Sequence, residues 1–164
     1  MKRPEIIPLK IQTRNELIKS VTRWRFLGKT ISFTNGCFDI LHSGHIASLS
    51  EAAKEGDILI VGVNTDASTR RLKGDERPVN SESSRALLLA SLAIIDAVTL
   101  FDEDTPFELI QAIMPDVIVK GGDYTFDQMI GAKEVIANGG RVVINPIVEG
   151  YSTTGIIEKL RKLG

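Results

Sequence analysis

The run Asp57–Val63 (DILIVGV) constrains the fold more than any other segment. It is nearly continuous in apolar residues, with no alternation of polar and apolar positions. A strand of that kind needs cover on both faces, which is the situation of a parallel strand inside an α/β sheet. Strand and helix signals alternate on either side of it. Ile31–Phe33 reads as a first strand, followed by a helix over Ile46–Lys54. A helix over Ser81–Leu92 leads to a strand at Ala97–Phe101. Thr105-Pro-Phe-Glu108 reads as an N-cap, a first-turn proline and a capping glutamate, opening a helix through Ile113. Val117–Val119 and Arg141–Ile144 are further strands around a helix near Gln128–Ala137, and a last helix runs over about Thr154–Leu163. Before the first strand, Thr13-Arg-Asn-Glu16 is a capping box, and Leu17, Ile18, Val21, Trp24 and Leu27 recur at helical spacing. An N-terminal helix is therefore expected over about 13–28, with Trp24 in the core or at an interface. The expectation is one α/β domain over 1–164, an open doubly wound parallel sheet with helices on both faces.

In such sheets ligands bind beyond the carboxyl ends of the strands, where strand order reverses. The segment after the first strand, Phe33-Thr34-Asn35-Gly36-Cys37-Phe38-Asp39-Ile-Leu-His42-Ser-Gly44-His45, lies at that edge. Two imidazoles three residues apart share one face of a helix's first turn. The N–H groups of that turn lack helical partners and carry the positive end of the macrodipole, so phosphate is favoured there. Gly44 leaves room for phosphate oxygens near the backbone. A metal site is the rival reading, but these are the only two histidines. A carboxylate or Cys37 would have to complete it. Cys37 itself reads as a small packed residue.

Other segments fall at the same edge. Asn64-Thr65-Asp66 follows the DILIVGV strand, and Lys120-Gly121-Gly-Asp123-Tyr124 follows a later one. Asp123 suits sugar hydroxyls or a base, or simply caps a turn. Arg70-Arg-Leu-Lys73-Gly-Asp-Glu-Arg77-Pro reads as a basic loop, either solvated or able to swing onto a triphosphate, with Lys73 beside Gly74 its strongest candidate. Arg77 and Arg85 come next, Arg85 projecting from the rim or forming a surface ion pair. Ser152-Thr153-Thr154 opens the last helix with three hydroxyls, a second phosphate site or an N-cap.

Lys and Arg total 20 against 21 Asp and Glu, so no basic field points to nucleic acid. The single cysteine fits a reducing compartment, and no run approaches membrane-spanning length. With a start at Met1–Lys10 unlike a signal peptide, a cytoplasmic protein without membrane contact is expected.

The ordered segments G-C-F-D-I-L-H-S-G-H, V-N-T-D, R-L-K-G-D-E-R-P-V-N, V-K-G-G-D-Y and E-G-Y-S-T-T resemble the cytidylyltransferase-like family of nucleotidyltransferases, with its Rossmann-like fold. The combination looks most like the adenylyltransferase domains of bacterial ADP-heptose synthesis. That resemblance implies transfer of AMP from ATP to D-glycero-β-D-manno-heptose 1-phosphate, with Mg²⁺ held mainly by ATP phosphates and no protein metal ligand. It implies that His42, His45 and Lys73 act on the ATP phosphates and that Ser152, Thr153 and Thr154 face them. Thr34, Asn35, Gly36, Phe38, Asp39, Gly44, Lys120, Gly121 and Asp123 would serve nucleotide or phosphate. Asn64, Asp66, Arg77, Arg85 and Tyr124 would be weaker substrate contacts. Many relatives carry a sugar kinase ahead of this domain. A chain of 164 residues has no room for one, so a stand-alone form with a separate heptose kinase is expected, self-associating as relatives do. Related glycerol-phosphate cytidylyltransferases have an arginine five residues before S-T-T; here that position is Ile147, which makes their substrate a poorer fit. A sibling enzyme using CTP or another phosphorylated acceptor is an alternative, as is a catalytically silent ATP sensor. An RNA-binding synthetase fragment would want a basic surface that this chain lacks.

Overall fold

A computed structural model describes residues 3–122, 125–146 and 152–163. Asp123, Tyr124 and Ile147 lie outside the described residues. Five parallel strands form one sheet in the order β3-β2-β1-β4-β5. They are β1 (Ile31–Gly36), β2 (Ile58–Asn64), β3 (Ala97–Phe101), β4 (Val117–Gly121) and β5 (Arg141–Asn145). Every residue of β2 is buried, as its apolar run requires. The order reverses between β1 and β4, so the switch point lies at the middle of the sheet.

The helices divide between the two faces. On one lie α2 (Arg14–Phe26), α6 (Phe107–Ile113) and α7 (Ala132–Ala137). Leu17, Val21, Leu109, Ile110, Ile113 and Val135 pack there on Ile31, Phe33, Ile60 and Ile118. The opposite face carries α3 (Ser43–Lys54) and α5 (Glu82–Ala90), whose Leu49, Ala52, Ala86 and Leu89 meet Leu59, Val61, Val63, Val117 and Val119. Alternate residues along each strand thus feed alternate cores. The short α1 (Ile6–Leu9) leads to Ile11, which bridges Val98 and covers the edge strand β3. No helix among the described residues is long and apolar enough to cross a membrane.

The N-terminal helix starts where expected. Thr13 and Glu16 form a reciprocal capping box, and Trp24 packs against the core. Three local expectations change. The basic segment is not all loop: Asp66–Lys73 is a helix, α4, capped by Thr65 and ended by Gly74 at φ +94°. The left-handed backbone there suits glycine. Thr105 does not cap α6; Pro106 occupies that position with no side-chain bond. The helix expected near Gln128–Ala137 starts later, as α7 (Ala132–Ala137), after a single 3₁₀ turn at Phe126–Gln128. The chain closes with α8 (Thr153–Arg161).

Arg85 does not project from the rim. It is fully buried in α5. Its Nε donates to the Asn80 carbonyl and its Nη1 to the carbonyls of Cys37 and Asn64, while Nη2 meets Asp66 Oδ1 at 2.7 Å. One guanidinium therefore joins the segments after β1, after β2 and before α5. Removing it would leave three carbonyls and a carboxylate short of donors. Arg85→Leu is expected to lower unfolding free energy by about 3–5 kcal/mol in denaturant titration. A loss below about 1 kcal/mol would show that the guanidinium is not a structural tie.

Candidate active site

A cleft of ≈ 630 Å³ opens at the carboxyl edge of the sheet, over the switch point. Its floor is the end of β1, Asn35 and Gly36, followed by the turn residues Cys37, Phe38 and Asp39. Phe38 adopts φ +47°, and its ring lies where a side chain on residue 36 would collide, 3.1 Å from a built Cβ. Gly36 thereby permits the turn that delivers the next segment to the head of α3.

His42 is the N-cap of α3 and His45 lies in its first turn. Their rings stack at 3.8 Å, tilted 26°. Phe38 closes the far side of His45, with ring centroids 5.4 Å apart. Burial lowers the pKa of both histidines. For His45, burial and the neighbouring His42 bring it down to about 4, so the ring is neutral near pH 7. Its Nδ1 is buried with no hydrogen-bond partner among the described residues. The His42 side chain does not cap α3. The His45 N–H turns back to the His42 carbonyl at 2.9 Å, while the N–H groups of Ser43 and Gly44 precede the first helical bonds and keep the character that suits an anion.

Lysines complete the polarity. Lys120, at the end of β4, donates to the Asn35 carbonyl at 3.1 Å and to its Oδ1 at 2.9 Å. Burial, reinforced by the charge of Lys73, brings Lys120 down to about 8, while Cys37 acts in the opposite sense. Lys73 ends α4 and lines the same cleft. Two cations that repel across a cleft are relieved by an anion between them. The described carboxylates on its walls each pair with an arginine. Asp39 is buried and accepts from Arg77 Nε at 2.6 Å and from the N–H groups of Val79 and Asn80 at 2.9 Å. Burial alone would raise its pKa, but these donors hold it below the ordinary value. Asp104 meets Arg71 Nε at 2.7 Å.

On the rim beside α3, Ser152 caps α8 by accepting from Gly155 N–H at 3.0 Å, and the Thr153 hydroxyl donates to the Ile40 carbonyl at 3.4 Å. With Thr154 they line the cleft, as do Asn64 and Arg77. The cleft thus brings together His42, His45, Lys73, Asn35, Gly36, Phe38, Asp39, Lys120, Ser152, Thr153, Thr154, Asn64 and Arg77. Thr34, Gly44, Gly121, Asp66 and Arg85 do not line it. Asp66 pairs with Arg85, and the missing side chain of Gly121 makes room for Ser48 of α3, 2.8 Å from a built Cβ.

The opposite wall escaped the sequence reading. Asp104, Thr105 and Pro106 follow β3, while Gln128, Met129 and Ile130 precede α7. The rule that located the histidines, following each strand to its carboxyl end, would have located Asp104 and Thr105 as well.

The cytidylyltransferase-like family model matches residues 33–159. The chain is 55% identical over 150 residues to the bifunctional protein HldE of Koribacter versatilis, covering 92% of this chain and 31% of that protein. It is 51% identical over 152 residues to HldE of Caulobacter vibrioides, covering 93% and 32%. The chain thus spans about a third of the length of these curated relatives. Among solved structures, the lipopolysaccharide core biosynthesis protein of Thermoplasma volcanium matches with a TM-score of 0.61 and 35% identity, over 76% of this chain and all of that one. Pantoate-beta-alanine ligase of Francisella tularensis shares the fold, with a TM-score of 0.57 and 16% identity over 88% of this chain and 69% of that one. With a matching model over most of its length, the chain belongs to the cytidylyltransferase-like family of nucleotidyltransferases.

Proposed function

We propose that this chain transfers AMP from ATP to D-glycero-β-D-manno-heptose 1-phosphate, forming ADP-heptose and pyrophosphate. The observation that carries the transfer chemistry is the convergence of Lys73, Lys120 and the uncapped head of α3 on one cleft whose described carboxylates are already paired. The heptose substrate is supported by the resemblance of the motifs and by the identity to HldE proteins.

The reaction asks little covalent chemistry of the protein. The sugar phosphate is ionised near neutral pH, so its oxygen attacks the α-phosphorus without a general base. A new P–O bond forms in line as the bond from the α-phosphorus to the bridging oxygen breaks, and pyrophosphate leaves with the electron pair. Positioning two anions and stabilising the charge that shifts onto pyrophosphate are the whole task. His42 and His45 meet the triphosphate at the head of α3, Lys73 neutralises it from α4, and Ser152–Thr154 close on it from the head of α8. No three His, Cys, Asp or Glu side chains gather to hold a metal among the described residues. In the proposed reaction Mg²⁺ would enter with ATP, held largely by phosphate oxygens and water.

The test is pyrophosphate release with Mg²⁺ and D-glycero-β-D-manno-heptose 1-phosphate, comparing ATP with CTP. Turnover with ATP is expected. Turnover with CTP alone would overturn the nucleotide, and silence across a panel of phosphorylated acceptors would overturn the enzyme and leave an ATP sensor.

Two predictions follow from the geometry of the site. His45→Ala and Lys73→Ala should each lower kcat by about a hundredfold to a thousandfold, the effect of losing one oriented donor. Their melting temperatures should stay near wild type, and near-normal turnover would remove the residue from the mechanism. The second concerns pH. Because burial and Lys73 lower the Lys120 pKa from 10.5 to about 8, the ammonium is lost earlier than in an ordinary lysine. Rates at low substrate, which report the free enzyme, should decline above about pH 8. Lys120→Arg, whose guanidinium keeps its proton there, should remove that limb from whatever activity remains.

A further inference from the structure

The cleft has two unlike walls. Strand alternation sets Lys120 on the same face as Ile118, which belongs to the core under α2, α6 and α7. The stacked histidines head α3, which covers the other face. The nucleotide chemistry described above occupies the α3 wall. Facing it, on the α6 and α7 side, stand Asp104, Thr105 and Pro106 after β3, and Gln128 and Met129 before α7.

The chemistry of this second wall is that of a neutral, hydroxylated ligand. The Thr105 side chain has no hydrogen-bond partner among the described residues. Gln128 uses its Oε1 to accept from the Thr125 N–H at 2.9 Å, which fixes the amide and leaves its NH₂ group for another acceptor. Asp104 gives one oxygen to Arg71, keeping the other for a donor. Pro106 and the nearly buried Met129 supply apolar surface between these groups. A carboxylate on this wall repels phosphate but accepts from hydroxyls. Among the described residues Lys120 brings a cation to the cleft floor between the two walls. A ligand that brings a phosphate toward the sheet edge and carries hydroxyls away from it satisfies all of these groups together.

We infer that the wall formed by Asp104, Thr105, Pro106, Gln128 and Met129 is the acceptor subsite, taking a polyhydroxylated sugar whose phosphate is held by Lys120. This rests on the transfer reaction proposed above and assigns its second substrate a seat. Lys120 holds the attacking phosphate, while Asp104, Thr105 and Gln128 read the sugar hydroxyls. These side chains are specificity determinants, since they touch the acceptor rather than the triphosphate.

The experiment is steady-state kinetics of Thr105→Val, Gln128→Ala and Lys120→Gln, varying ATP and D-glycero-β-D-manno-heptose 1-phosphate separately, with D-mannose 1-phosphate as a less hydroxylated acceptor. Thr105→Val and Gln128→Ala should raise KM for the heptose phosphate about tenfold, the effect of one lost hydrogen bond, with KM for ATP unchanged. The same changes should raise KM for mannose 1-phosphate less, narrowing the preference between the two sugars. Lys120→Gln should raise KM for both sugar phosphates more than KM for ATP. Thr105→Val keeps shape and leaves no internal bond broken, so it reads the subsite even if Gln128→Ala loosens the 3₁₀ turn. If wild type transfers AMP to the heptose phosphate but Thr105→Val leaves its KM unchanged, or raises KM for ATP instead, the subsite is overturned while the reaction stands. If wild type transfers AMP to no sugar phosphate, the reaction falls and the subsite with it.

Discussion

The buried guanidinium of Arg85 is the tie on which the site depends. A chain that places its functional groups on loops beyond a sheet needs something to hold those loops in register. Here a side chain from α5 reaches under the sheet edge to the Cys37 and Asn64 carbonyls, to Asn80, and to the Asp66 carboxylate. Asp39 adds a second tie, binding Arg77 and the backbone of Val79 and Asn80 back to the turn after β1. Buried ion pairs are weak evidence for stability on their own, because desolvation offsets attraction. Their value here is geometric. They set the turn that carries Cys37 and Phe38 against the segment leading into α5, and the second of them pairs Asp39, a carboxylate of the cleft wall, with Arg77.

That pairing has an electrostatic consequence. The cleft is left with cations and helix-terminal N–H groups, and its interior resists taking up more positive charge. Burial keeps both imidazoles below their usual pKa, and burial together with Lys73 does the same for Lys120. Such depressions mark unfavourable solvation of the empty state, and a bound polyanion removes them. Under the proposed function the site is preorganised for negative charge before substrate arrives, which is the arrangement that stabilises charge developing in a transition state.

Much of this was legible in the sequence, and the exceptions have physical reasons. The strands could be read because parallel strands covered on both faces must be apolar, and Ala97–Phe101 was located residue for residue. The family could be read because five motifs occur in order. The helix Asp66–Lys73 was missed because it is almost wholly polar, so no apolar stripe announced it. Arg85 was misplaced because a charged residue is ordinarily exposed, and only the converging carbonyls of three distant segments make its burial favourable. Thr105 reads as a helix cap and Gln128 as the start of a helix because neutral hydroxyl and amide side chains carry no spacing signal for a ligand. What gathers them is the packing of α6 and α7 on one face of the sheet, a tertiary fact that no local pattern encodes.

The account rests on a cleft built to receive a polyanion, and the most direct measurement is the titration of its own groups. NMR titration of the His45 ring and the Lys120 ammonium, with and without Mg²⁺ and ATP and in the absence of acceptor, reads this at two positions. In the free protein His45 should titrate near 4 and Lys120 near 8. On ATP binding His45 should move upward, toward neutrality, and by more than Lys120, which faces the acceptor phosphate. Binding that leaves His45 where it was, or shifts it downward, would contradict the claim that the triphosphate lies against the head of α3.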